Sequence, residues 1–412
     1  MTGAGGGAGD GNDVGVTQGG QQTVAQAPGN REHAPMHPHR LVVPFALACA
    51  CATPAQNGTP LPAAAPAPAF EIRAGKPVES LPNEKHLKNV RQLTADGENA
   101  EAYWSNDGRR LILQRRAGAM PADQIYVLDL GTGDLSLVST GDGRTTCSYF
   151  LQGDKRIVFA STHHNGKEPP PVAKVERGKG YVWSVHREYD LFTADPDGKN
   201  IKQLTSSPGY DAEATVCPVT GAFVFTSVRD GDLELYTMEA DGSNVKRVTN
   251  RAGYDGGAFF SHDGSKLVLR SAVPKDKTQA DEDKGLLEQA LVRPSNMELT
   301  VCKRDGSDFR QITSNGAANF GPYWLPDDKR IIFASNFRGM EIMQKTGDHT
   351  AARNFDLFVI GEDGKNIEQI TDHPEFDGFP MYSPDGKYLV FASNRFGKQK
   401  GETNLFLAEW VD

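Results

Sequence analysis

One stretch recurs six times along the chain and sets the architecture. The copies read YWSNDGRRLIL (103–113), YFLQGDKRIVF (149–159), TVCPVTGAFVF (215–225), FFSHDGSKLVL (259–269), YWLPDDKRIIF (323–333) and MYSPDGKYLVF (381–391). Each is a short run, a tight turn and a β-branched apolar run, which is the signature of a β-hairpin. A second hairpin follows every copy: QIYVLDLGTGDLSLV, YDLFTADPDGKNIKQLT, LELYTMEADGSNVKRVT, MELTVCKRDGSDFRQIT, FDLFVIGEDGKNIEQIT and finally NLFLAEWVD. Each unit therefore holds four strands, A to D. The span from Thr220 to Asp263 is its compact period, within the about 40–45 residues of a four-stranded propeller blade. Two β-sandwiches do not account for six copies in one order. The expected fold is all-β, a six-bladed β-propeller.

The sixth unit reaches Asp412 after strand C, and its missing D-type ending, x-Gln-Leu-Thr, occurs instead before the first blade as HLKNVRQLT (86–94). The amino-terminal segment is expected to complete the last blade, which fastens the two chain ends together and leaves no mismatched edge.

The first seventy residues differ in composition. Residues 1–35 are rich in Gly, Ala and Gln without apolar period and are expected to be disordered, with Met36 as an alternative start. Their GAGGGAGDG lacks the strand and helix of a dinucleotide site. MHPHRLVVPFALACACATPA (36–55) places Arg40 before a short apolar run and Ala-x-Ala patterns, the layout of a secretory signal. ALAC, ending at Cys49, adds a weak lipoprotein-type pattern and makes Cys49 a candidate lipid anchor. Residues 56–70 read as a Pro/Ala linker, and residues 71–412 as the propeller. The run at 36–55 is too short for a permanent span. Net charge is −9, from 44 basic and 53 acidic residues, with no basic stretch to hold a phosphate backbone, so nucleic acid is not an expected partner. No pair of cysteines has metal or redox spacing.

The SPDGKYLVFASNR stretch and its relatives resemble the WD40-like repeats of TolB-type propellers. The resemblance covers all six blades. It implies a secreted or periplasmic, cell-envelope protein that binds another protein; TolB itself binds the lipoprotein Pal. TolB also carries a folded α/β domain ahead of its propeller, where a Pro/Ala spacer and one strand are expected here.

Strand order places the A–B and C–D turns on one face and the B–C and D–A connections on the other. The turn face is uniformly short: SNDG, SHDG, SPDG. The long insertions, 162–188, 272–296, 337–354 and 395–403, all fall on the B–C side, and loops of that length are commonly functional. GLLEQALV within the second insertion suits a short helix. A monomer binding a protein, peptide or glycan on this loop-rich face is the first functional expectation.

The same face receives one equivalent residue per blade at the start of strand A: Asn99, Thr145, Asp211, Asp255, Asn319 and Asp377. Glu101 and Glu213 follow two places on, and simple alternation points them the same way. Asn99, Glu101, Asp211, Glu213, Asp255, Asn319 and Asp377 form a candidate oxygen-rich cation site, for Ca²⁺ or another divalent ion. The same side chains equally suit capping of strand starts. Arg229, Arg338, Asn394 and Arg395 lie at strand B ends, as candidates for an anionic ligand or for salt bridges between blades. Tyr181 and Trp183, in GYVW, suit loop anchoring or stacking on a sugar or peptide. His163, His164 and His186, with Glu188, carry the alternative function, a metal-dependent lyase or hydrolase. No GxSxG, HExxH or phosphate loop is present.

Overall fold

The computed structural model describes residues 70–172, 182–293 and 296–412. The signal at 36–55 with Cys49, most of the linker, and Tyr181 lie outside the described residues. Six antiparallel sheets follow one another along the chain. Their innermost strands are Glu98–Trp104, Thr145–Phe150, Asp211–Val216, Tyr254–Phe260, Asn319–Trp324 and Asp377–Tyr382, and each heads a sheet in the order A, B, C, D. The protein is an all-β six-bladed propeller.

The repeat motif explains each hairpin. In SNDG, SHDG and SPDG the serine hydroxyl donates to the aspartate two places on, at 2.6 Å for Ser105–Asp107 and Ser261–Asp263 and 2.7 Å for Ser383–Asp385. The glycine then takes a positive φ (69° at Gly108, 70° at Gly264, 71° at Gly386) that other residues resist. The recurrent threonine of the D strand is a post inside the blade. Thr94, Thr205, Thr249, Thr313 and Thr371 each accept the N–H of a C-strand leucine through Oγ1, at 2.8–2.9 Å.

Neighbouring blades are joined by one repeated backbone bond. The first or second residue of each A strand donates its N–H to the carbonyl just ahead of strand C in the preceding blade. The pairs are Asn99–Thr403, Thr145–Asp123, Asp211–Tyr189, Asp255–Leu233, Asn319–Met297 and Asp377–Phe355, at 2.8–3.2 Å. Buried aliphatic and aromatic side chains fill the space between sheets, among them Trp324, Phe333, Phe358 and Phe391.

The ring closes as expected. Leu87–Gln92 pairs antiparallel with Asn404–Trp410 and so supplies the fourth strand of blade six, with Lys76–Pro77 added outside it. Glu84, in the turn before this strand, reaches Arg395 in the last blade.

The insertions are built structures. Residues Trp183–Ser184 of the blade-two insertion pair with Leu291–Val292 of the blade-four insertion, a two-stranded ribbon between segments far apart in sequence. The expected helix runs earlier than its apolar motif, over Lys277–Glu288, because Asp276 caps it by accepting the Gln279 N–H at 2.9 Å. A second helix, Phe337–Thr346, occupies the blade-five insertion. No helix of the described residues is long and apolar enough to cross a membrane.

Candidate functional site: the axial mouth on the loop face

Every A strand carries a bulge at the same place, so its register with strand B slips by one residue. The bulged residues are Glu101, Cys147, Glu213, Gly257, Gly321 and Phe379, with φ between 49° and 58°. Four of the six are not glycine, and each of those holds a backbone conformation that costs about 1 kcal/mol or more. All six line one small axial cavity of about 30 Å³, together with Arg270. Strain concentrated in one ring around the axis is what marks this cavity as the candidate site.

The bulge also corrects the sequence reading of the oxygen-rich ring. Alternation would aim Asn99 and Glu101 alike, but Glu101 is itself the left-handed bulge residue, which breaks the alternation. Glu101 and Glu213 line the axial cavity, whereas the strand-start residues are 0–2% exposed and turn to blade partners. Asn99 donates to the Asp96 and Thr403 carbonyls, and Asn319 to the Met297 carbonyl. Aspartate cannot donate, so Asp211 and Asp377 take an arginine instead: Arg229 at 3.1 Å and Arg395 at 2.7 Å. Asp255 lies 3.5 Å from Arg251. Among the described residues no three His, Cys, Asp or Glu side chains are grouped to hold a metal ion. The expected cation set is not gathered.

At the axis, Glu213 is held from four sides. It accepts from the Thr226 hydroxyl at 2.7 Å, the Tyr254 hydroxyl at 2.8 Å and the Gly257 N–H at 3.0 Å, and from the Arg270 guanidinium. Arg270 reaches this position by lying over Gly257, where a Cβ would sit 2.7 Å from its Nε. Only glycine admits it there. Glu101 accepts a hydrogen bond from the Cys147 thiol, which keeps its proton because burial pushes its pKa up. Burial pushes the Glu101 carboxyl up to about 7 against the pull of Cys147 and Arg270, and the nearby Glu213 and Asp123 charges add to the rise.

An arc of aromatic rings borders this cluster. Trp183 lies 6.3 Å from Tyr254 and 5.7 Å from Phe320, and contacts continue from Phe320 to Phe355, Phe376 and Phe379 at 5.4–6.2 Å between centroids. Trp183 comes from the blade-two ribbon, so an insertion completes the mouth of the axis.

The remaining candidate residues are placed elsewhere. Arg229 is tied to Asp211 and Ser227, and Arg395, 2% exposed, to Glu84, Asp377 and Ser393. Arg338 is a surface residue 3.4 Å from Glu341 on its own helix, and Asn394 holds the Glu402 carbonyl at 2.8 Å. His163 contacts Ser161 at 2.8 Å and His164 lies 3.1 Å from Asp190, with both rings against Phe192. His186 packs on Tyr189, and burial lowers its pKa as it does that of His163. Glu188 offers its backbone carbonyl to Asn165 at 3.4 Å, and its carboxylate acts on His186 through its charge. His163 and His164 thus share Phe192, while His186 packs apart from them on Tyr189. Arg270 was missed from the sequence. Its signal was available: the equivalent B-strand position is Gln114, Ala160, Thr226, Ala334 and Ala392 in the other blades, and Arg270 is the one charged residue among the six.

The class is a six-bladed β-propeller with a charged, aromatic-rimmed axial mouth. No protein-family model matches the chain. The Tol-Pal system protein TolB of Bordetella pertussis is 37% identical over 138 residues, which cover 26% of this chain and 32% of that protein. The chain is a TolB-like propeller, and it spans about a third of the length of this curated relative. Among solved structures, a putative TolB from Agrobacterium tumefaciens superposes with a TM-score of 0.47 at 19% identity, covering 77% of this chain and 91% of that one. An oligogalacturonate lyase in complex with manganese gives 0.44 at 16% identity, covering 78% and 93%. At these scores the propeller is established by the six blades themselves and not by either superposition.

Proposed function

We propose that this protein is a cell-envelope binding propeller that holds a protein or peptide partner, or a glycan, at the axial mouth of its loop-rich face. The observation that carries the reading is Trp183. It is delivered by an insertion, it caps the Arg270–Glu213 cluster, and it starts an aromatic arc suited to stacking on extended chains. The TolB match favours a protein partner, since that relative is a protein of the Tol-Pal system. Export through the signal at 36–55 and anchoring at Cys49 belong to the same proposal. They would be read from amino-terminal sequencing and mass of the mature chain.

Photo-crosslinkers placed at residue 183 and, on the opposite face, at Val219 test the binding face in intact cells. A partner trapped from 183 and not from 219 supports the reading. Equal trapping from both, or none from 183, overturns it.

A further inference from the structure

Three carboxylates and one guanidinium meet where the amino-terminal segment completes the ring. Arg395 donates to Glu84 Oε2 and Oε1 at 2.9 and 2.8 Å, and to Asp377 Oδ2 at 2.7 Å. These three side chains are at most 3% exposed. Asp356, the first residue of strand C in blade five, is 6% exposed and sits within electrostatic reach of all of them. Among the described residues Asp356 Oδ1 and Asp377 Oδ1 have no hydrogen-bond partner within 3.5 Å, although the Ser393 hydroxyl helps to hold the Asp377 charge.

The surrounding elements supply little further compensation. From the loop between blades five and six come Asp372, whose N–H donates to Glu84 Oε1 at 3.4 Å, and His373, which faces Arg395, Glu84 and Glu375. Burial lowers the pKa of that imidazole, and Arg395 lowers it further. Among the described residues Arg395 is thus the one cation facing Glu84, Asp377 and Asp356. Three carboxylates cannot all be ionised beside a single guanidinium in a site this dry without strong mutual repulsion.

We propose that this seam is an alkali-sensitive latch on ring closure: with Asp356 protonated, the Glu84 turn and strand Leu87–Gln92 are locked to the last blade, and loss of that proton opens them locally. Burial, then the charge of Asp377, pushes Asp356 up to about 8. Burial likewise raises Asp377, to about 6, against the pull of Arg395. A raised carboxyl pKa means that the closed seam binds more protons than the open one. Closure is therefore tightest in acid and weakens as pH rises through about 8. The latch also joins blades five and six, which carry Phe355, Phe376 and Phe379 of the aromatic arc, so its opening loosens that side of the loop-face mouth.

Hydrogen–deuterium exchange on the full chain at pH 6.5, 8 and 9, corrected for intrinsic exchange, tests this. Peptides over 87–92 and 404–410 are expected to open up to about fifteenfold more between pH 6.5 and 8 relative to blade-three peptides over 223–227, and only about twofold more between pH 8 and 9, where Asp356 is already ionised in the closed seam. Asp356→Asn, which cannot ionise, is expected to abolish that excess. Parallel change in seam and blade three, or an unaltered excess in Asp356→Asn, overturns the latch. Should that variant not fold, Asp377→Asn removes the neighbouring anion that raises the Asp356 pKa, so the plateau of opening is expected to set in at lower pH. An unchanged plateau there overturns the proposal equally.

Discussion

The guanidinium carbon of Arg270 lies 5.4 Å from the centroid of the Trp183 ring, and the two residues reach each other from blade four and from the insertion of blade two. A contact of this kind, partly shielded from water, contributes about 0.5–2 kcal/mol. Trp183→Ala is expected to lower stability by about that amount in urea denaturation. Trp183→Leu, which keeps apolar cover but no ring, recovers only part of it. No change in either variant would show that the ribbon is not docked on Arg270.

Among the described residues Glu213 is the only carboxylate hydrogen-bonded to Arg270, whose side chain is 11% exposed. Removing one member of such a pair leaves a buried charge without compensation, at a cost of about 3–5 kcal/mol. Glu213→Gln is expected to show a loss of that order by denaturant unfolding, and the double variant with Arg270→Met to be more stable than the single one. Additive losses in the double variant would contradict the pairing.

Glu101 titrates within the axial cavity. Its carboxyl is raised from 4.5 to about 7, first by burial. The folded state therefore binds more protons than the unfolded one across that window. The stabilisation from Glu101 is complete below about 4.5 and is lost as pH rises through 7. Comparison of wild type with Glu101→Gln by thermal unfolding between pH 4.5 and 8 should show the shallower pH dependence in the variant. Carbon-13 NMR of the carboxyl reads the same titration directly.

Calorimetric titration of metal-stripped protein with Ca²⁺ and then Mn²⁺ examines the oxygen-rich ring. Asp211 and Asp377 are already engaged by Arg229 and Arg395, so no saturable heat is expected from that ring. Saturable Ca²⁺ binding that disappears in Asp211→Asn would restore it as a cation site. A bound ion would also raise stability by about 2.7 kcal/mol at a hundredfold excess over its Kd.

Much of the fold was legible because a repeat reports itself. The Ser-x-Asp-Gly turns, the recurrent D-strand threonine and the displaced copy of that strand at 86–94 fix blade number, hairpin order and ring closure, since each depends on chemistry within a few residues. The site was less legible. Asn99 and Glu101 were read as one face because strands alternate, and a bulge at each A strand undoes that rule locally. Arg270 lies in a run, LVLRSA, that announces only a strand. The helix at Phe337–Thr346 carries no turn signal at its start: Asn336, at its amino terminus, makes no side-chain cap bond.

By itself the sequence determined the six blades, their strand order, the strand that closes them and the face bearing the long insertions, because turn and strand chemistry is local and repeated six times. Only the tertiary structure decided which polar groups meet. Whether an aspartate caps a strand, pairs with an arginine or faces the axis depends on the bulge geometry and on neighbours such as Thr403 for Asn99 and Glu84 for Arg395, hundreds of positions away. Packing, and not spacing, brings those partners together.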